Sequence, residues 1–242
     1  MKLNKLTIVI LVLVVLGTAF LVVFSNLPKF SGHEVKAFHV TDTSPSHQEI
    51  FGSSPINIVI NTDVEIDQGK FSISGKSKKT PIEISTSVNE SKTTLRGLFS
   101  EELLPDTYRV NYELTYSNPS HNQQPEYKKQ GEFSFTIDSN KKAEYKDLTG
   151  QKEVTINMKD LKFDPQKIII SAGTKVTWVN SDSIEHFVNT DPHPSHTYYL
   201  DQNSLDIPAK GNYSVTFTQV GEYPYHCSAH YPEGMSGRII VQ

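Results

Sequence analysis

The chain has 242 residues, room for one or two domains beyond any targeting segment. Its composition is that of a globular protein, 36% apolar with 11 Tyr and 12 Phe, which suits a β-rich core. A net charge of −4 argues against nonspecific nucleic-acid binding, which draws on Lys/Arg clusters.

At the N-terminus, Lys2 and Lys5 precede a mostly apolar run from Leu6 to Phe24. About 19 residues at ~1.5 Å rise come close to spanning a ~30 Å hydrocarbon core. A cleaved signal peptide competes, but its apolar region is usually ~7–15 residues and ends at a small-x-small site. Gly17-Thr18-Ala19 is the only such triplet, and apolar FLVVF follows it directly. The reading adopted is an uncleaved transmembrane helix, with residues 1–30 as membrane anchor and start of a short stalk. Lys2 and Lys5 then lie in the cytoplasm, and everything after Ser25 lies outside a single-pass cell-membrane protein. Both alternatives export the body of the chain. One Cys permits no intramolecular disulfide, and a lone thiol in an oxidising compartment needs a reason to be there.

Residues 39–138 read as strands. Ile56, Ile58 and Ile60 alternate with Asn57 and Asn61, and Tyr108, Val110, Tyr112, Leu114 and Tyr116 alternate with polar residues. Phe133, Phe135 and Ile137 repeat the theme, and turn signals break the runs at sandwich-like intervals. An immunoglobulin-like sandwich is expected. The stretches VTDTSPSHQEIFGSSPINIVIN and LLPDTYRVNYELTY…GEFSFTID faintly resemble the CopC-like copper-resistance domain. That family binds Cu(II) through an N-terminal His and a late Asp-Gly-His stretch. Here only His121, in SNPSHNQQPEY, stands near such a position, so a spacer or docking sandwich is the expectation.

Residues 139–150 (SNKKAEYKDLTG) are polar and Lys-rich, and read as an interdomain linker. The second domain, 151–242, opens with alternating Val154, Ile156 and Met158. Strands follow around Ile168–Ile170, Val176–Asn180, Tyr213–Phe217 and Arg238–Val241, an order that suits a Greek-key β-sandwich. The fold class is therefore all-β, two sandwiches after an N-terminal transmembrane helix.

The chemistry collects late in this domain. Cys227, His230 and Met235 fall within nine residues, spaced Cys-x2-His-x4-Met, and His186 follows the strand ending at Asn180. Two His, one Cys and one Met form the donor set of a blue-copper site, three strong donors and a weak axial sulfur. Thiolate and thioether suit Cu(I), and imidazole suits both oxidation states. The stretches FDPQKIIISAGTKVTWVN and GEYPYHCSAHYPEGMSGRIIV, with His186 between them, resemble the cupredoxins, specifically the plastocyanin and pseudoazurin group. The resemblance covers about residues 151–242. It implies one type 1 copper ion held by His186, Cys227, His230 and Met235. It also implies redox protein partners docking where His230 presents an imidazole edge. Many cupredoxins place Asn, Ser or Thr after the first His ligand; this chain has Phe187, which keeps a backbone N–H for the thiolate but loses a side-chain brace. Asp182, Glu185 and Glu233 are close enough in sequence to form an acidic rim facing a basic partner.

Of the other histidines, His226 precedes Cys227 and on an extended backbone points away from the metal, which reads as a surface position. His193 and His196, in DPHPSH, are weak evidence for a second metal. The expected function is a membrane-tethered, extracytoplasmic one-electron carrier; a copper-handling protein that stores, buffers or delivers the metal is the alternative. A copper enzyme fails on arithmetic. A multicopper oxidase needs eight His in His-x-His pairs, while nine His less two ligands leave seven and no such pair. A binuclear CuA centre needs two Cys.

Overall fold

The structure, a computed structural model, describes residues 9–15, 18–24, 38–78, 80–116 and 127–242. The chain divides into two compact units, Met1–Ala37 and Phe38–Gln242.

In the first unit, β1 (Val9–Val15) and β2 (Thr18–Phe24) pair antiparallel, from Val9 opposite Phe24 to Val15 opposite Thr18. Where a helix is expected, the described residues 9–15 and 18–24 form two paired strands. The physical reason lies in the residues: Val9, Ile10, Val12, Val14, Val15, Thr18, Val22 and Val23 are β-branched and favour extended backbone. Among the described residues, no helix is long and apolar enough to cross a membrane.

The second unit begins with eight strands. They are β3 (Val40–Ser44), β4 (Glu49–Phe51), β5 (Asn57–Thr62), β6 (Gln68–Gly75), β7 (Ile84–Val88), β8 (Thr94–Phe99), β9 (Asp106–Tyr116) and β10 (Tyr127–Ile137). They form two four-stranded sheets, ordered β3-β5-β8-β7 and β4-β10-β9-β6. Ile58, Ile60, Ile73, Leu95, Val110 and Phe135 are wholly buried between them.

Nine further strands build a second sandwich. After a 3-10 turn at Ser139–Glu144 come β11 (Lys146–Asp147), β12 (Glu153–Lys159), β13 (Lys162–Asp164), β14 (Lys167–Ile170) and β15 (Thr174–Asn180). Next are β16 (Asn189–Thr190), β17 (Asn212–Phe217), β18 (Gly221–His226) and β19 (Ser236–Val241). The sheets run β11-β14-β19-β18-β16 and β13-β12-β15-β17. The buried alternation of Val154, Ile156 and Met158 in β12 meets Trp178, Val215 and Phe217 in the core. The polar segment 139–150 contributes β11, which pairs in parallel with β14.

The two sandwiches share a built interface. All six residues of β5 are buried. Its apolar face points into the first core, while Val59 and Ile56 join the second. The polar positions of β5, which alternation alone assigns to solvent, bond across the interface. Asn57 Nδ2 donates to the Tyr198 carbonyl (2.7 Å), and Asn61 Nδ2 to the hydroxyls of Ser195 and Thr197 (2.9 Å each). Arg96 donates to the carbonyls of Thr197 and Tyr198. The Tyr198 hydroxyl accepts from the Ile56 N–H and donates to the Glu222 carbonyl, both at 2.8 Å.

Glu222 is the centre of this seam and has no exposed surface. Its Oε2 accepts from the N–H groups of Gly52 (2.6 Å) and Ser53 (2.9 Å). Its Oε1 accepts from the Tyr145 hydroxyl (2.7 Å) and Arg238 Nη1 (2.9 Å). Arg238 also pairs with Glu49 at 2.5 Å and lies over the Phe51 ring, 5.0 Å from its centroid. Burial would lower the Arg238 pKa, but Glu49 and Glu222 outweigh it and keep the guanidinium charged. Gly221 lets β18 approach: at φ +145°, a Cβ there would lie 2.5 Å from Ile56 Cγ2. Removing one member of a buried, fully bonded charge pair costs about 3–5 kcal/mol, because the partner stays buried and unpaired. Glu222→Leu is therefore expected to lower unfolding stability by about that much in a denaturant titration of the full chain; a loss under ~1 kcal/mol would show that the seam carries little.

Candidate metal centre

Two loops at one end of the second sandwich bring the predicted donors together. The first leaves β15 through Asn180, which is buried and organises the turn: its Nδ2 donates to the carbonyls of Ile184 (2.8 Å) and Ile207 (2.9 Å), and its Oδ1 accepts from the Asp182 N–H (2.9 Å). His186 follows, with no exposed surface, and exchanges both backbone hydrogen bonds with Ile207 (3.1 and 2.8 Å). The second loop closes on itself from the end of β18. The His230 N–H bonds the Cys227 carbonyl (3.1 Å), the Met235 N–H bonds the His230 carbonyl (3.2 Å), and the Cys227 N–H bonds the Met235 carbonyl (2.9 Å). Gly234, at φ +79°, supplies the left-handed turn that the return to β19 requires.

Three of the four predicted side chains converge. Cys227 Sγ lies 3.3 Å from His230 Nδ1 and 3.7 Å from His186 Nδ1, and the two Nδ1 atoms are 3.2 Å apart. A point at the centre of that triangle is about 2 Å from each donor, the bonding distance of a first-row ion to imidazole nitrogen. The donor set also fits in kind, two imidazoles and a thiol at one buried corner. Met235, 1% exposed, ends the loop in the same apolar cluster as Cys227.

His186 is held from behind. Its Nε2 lies 2.8 Å from Asp182 Oδ2, which places the ring proton on Nε2 and turns the Nδ1 lone pair toward Cys227 and His230. Desolvation raises the Asp182 carboxyl, but hydrogen bonds from the Asp160 N–H, His186 and the Leu161 N–H outweigh it, and its pKa lies below the ordinary value. Asp182 is thus no member of an exposed rim: it faces inward and orients a ring. Glu185 and Glu233 are exposed. The Phe187 N–H points at Cys227 Sγ (3.3 Å), as the sequence predicts. The brace that Phe187 cannot supply is moved two residues along, where Asn189 Nδ2 donates to Ser228 Oγ in the ligand loop (2.8 Å).

His226 departs from its expected place. Its ring points away from Cys227 but is wholly buried rather than superficial, and it meets His193 and His196. The signal missed was β18 itself, buried on both faces, so that turning from one side led into protein and not into water. His121, the one copper candidate of the first sandwich, lies outside the described residues.

Residues 150–242 match the family of copper binding proteins of the plastocyanin/azurin type. A plastocyanin of Scenedesmus fuscus is 36% identical over 87 residues, which span 34% of this chain and 88% of that protein. This chain belongs to the plastocyanin/azurin family. Amicyanin of Paracoccus denitrificans is 27% identical over 92 residues, 37% of this chain and 65% of that protein. Among solved structures, a purple cupredoxin from Nitrosopumilus maritimus is 23% identical, with a TM-score of 0.32, covering 37% of this chain and 99% of that one. The cupredoxin domain is thus the second sandwich, and its cofactor is one type 1 copper ion.

Carboxylates that hold the far nitrogen of a ligating imidazole are worth ~10–100-fold in metal affinity. Asp182→Asn in this cupredoxin should weaken copper binding by about that factor in a competition titration; an unchanged affinity would show that Asp182 does not orient His186.

Proposed function

We propose that the chain is an exported, membrane-tethered one-electron carrier whose copper is held by His186, Cys227 and His230, with Met235 as the weak axial donor. The observation that carries the reading is the convergence of two Nδ1 atoms on a buried thiol that already accepts a backbone N–H. Copper in this donor set takes up and gives back one electron between Cu(I) and Cu(II). The chain's own residues keep the cage unchanged as that happens. Asp182 fixes the His186 ring, the Phe187 N–H stabilises charge on Sγ, and Asn189 ties the ligand loop to the strand beside it. Cys227 and His186 exclude water, while His230 is only half-buried and stands beside exposed Tyr231 and Pro232. That edge is the shortest way out for an electron, and it supports docking by a redox partner. A non-enzymatic role agrees with this arrangement, since the cage presents an edge for contact.

Tethering rests on the apolar run 6–24 behind Lys2 and Lys5. A two-stranded hairpin leaves open edges that lipid cannot satisfy, so in a bilayer the same residues would go in as a helix. Both sandwiches then lie on the extracytoplasmic side. One preparation tests copper and tether together: full-length protein should stay with membranes through a high-salt wash, leave with detergent, and absorb intensely near the red end of the visible range when loaded with copper. Cys227→Ser should abolish the colour. A colourless loaded protein, or colour surviving the substitution, refutes the ligand assignment; release by salt alone refutes the tether.

Glu185 and Glu233 are the exposed acids of the docking end, and they favour a basic partner. Glu185→Lys with Glu233→Lys should slow electron transfer to a basic acceptor, most at low ionic strength. Equal rates for variant and parent across ionic strength would remove the electrostatic reading and leave the copper site standing.

A further inference from the structure

The same strand that delivers Cys227 delivers a second cluster on its other face. His226 closes β18 opposite Asn189 of β16, and strand alternation sends its ring away from Cys227. The loop after β16 folds back beneath it. The His196 N–H bonds the Pro192 carbonyl (2.7 Å), the Tyr198 N–H bonds the Asp191 carbonyl (2.8 Å), and Asn203 Nδ2 donates to the His196 carbonyl (2.9 Å). Ser195 Oγ ties the loop to Asp42 of the first sandwich (3.1 Å). So held, His193 Nδ1 and His196 Nε2 lie 3.3 Å and 3.1 Å from His226 Nε2.

We propose that His193, His196 and His226 form a second metal site in this protein, taking one divalent ion of the imidazole-preferring class, Cu²⁺ or Zn²⁺. Three observations carry it. The spacing fits: a tetrahedral ion ~2.0–2.1 Å from each imidazole nitrogen holds those nitrogens about 3.3 Å apart, matching both separations from His226 Nε2, and all three nitrogens lie within 4.8 Å of one another. The tautomer is right: His226 Nδ1 lies 2.8 Å from Asp191 Oδ1, so the carboxylate takes the Nδ1 proton and leaves the Nε2 lone pair facing His193 and His196. The setting is right: His226 is wholly buried, and Tyr231 covers His193 by stacking, ring centroids 4.5 Å apart at 16°. His226 Nε2 offers one lone pair to two neighbouring rings, and a single ion would use all three nitrogens.

Three protein donors leave a fourth position for water or a small anion, as in sites that exchange ligands. Ser228 Oγ stands beside it, 3.0 Å from His196 Nε2, and also receives the Asn189 amide. The site is independent of the thiol, and this separates its test from that of the copper centre above. Untagged full-length protein in detergent is equilibrated with Cu²⁺ or with Zn²⁺ against a weak competing chelator, and bound metal is counted per chain. Cys227→Ser is expected to retain one tightly bound ion, and His193→Ala with His196→Ala in that background to retain none. In the parent chain the same pair of substitutions should remove one copper and leave the visible band, which reports an intact fold. His196→Gln is a milder second variant and should weaken the remaining ion at least tenfold. No ion bound by the Cys227→Ser chain in either metal arm, or an ion unaffected by loss of both histidines, overturns the proposal.

Discussion

Everything in the larger unit depends on one buried carboxylate. Glu222 has four donors from three stretches of chain, the Gly52 and Ser53 N–H groups of one turn, the Tyr145 hydroxyl and Arg238. A desolvated charge is tolerable only when every lone pair is met, so this group dictates where the first sandwich, the 139–150 segment and the last strand must sit. It lies on β18, the strand that ends at His226, immediately before Cys227. Fixing Glu222 therefore fixes the register of the residues that do the chemistry.

The ligand end shows how backbone geometry economises on residues. Two consecutive positions of one strand face opposite ways, and here both faces lead to imidazole-bearing loops. The loop carrying His230 closes through three backbone hydrogen bonds of its own. The His186 side depends instead on side chains, Asn180 shaping the turn and Asp182 holding the ring. The Asn189–Ser228 bond then joins the two sides, which is why Phe187 is tolerated where a polar residue would otherwise brace the loop.

Much of this was legible in the residues. Alternation found β9, β10, β12, β15 and β17, because each has one apolar face and one that meets water or polar neighbours. Donor chemistry and spacing found His186, Cys227 and His230. What stayed hidden involves partners distant in sequence. The polar face of β5 is covered by residues more than a hundred positions away, and no local pattern says so. β18 carries Pro224 and a charge, both of which argue against a central strand, and only the whole fold shows how each is accommodated. The histidine trio is assembled across about thirty residues, and Asp182 reads as a solvated loop acid until His186 is seen turned back onto it. At the N-terminus, length and apolarity point to a lipid-spanning helix, while the β-branched residues favour the strands described there.

The Tyr198 hydroxyl gives the second sandwich a limited portability. It spends its proton on β18 and its lone pair on the Ile56 N–H of the first sandwich. A cupredoxin domain cut out at residue 150 would expose that oxygen and leave the Glu222 carboxylate with Arg238 alone, its Gly52, Ser53 and Tyr145 donors lost. The loop bearing His193 and His196 would lose its anchor at Asp42 in the same cut. For this chain the first sandwich is a part of the scaffold, and grafting the copper-binding portion elsewhere means taking β3 to β5 with it or redesigning the face they cover.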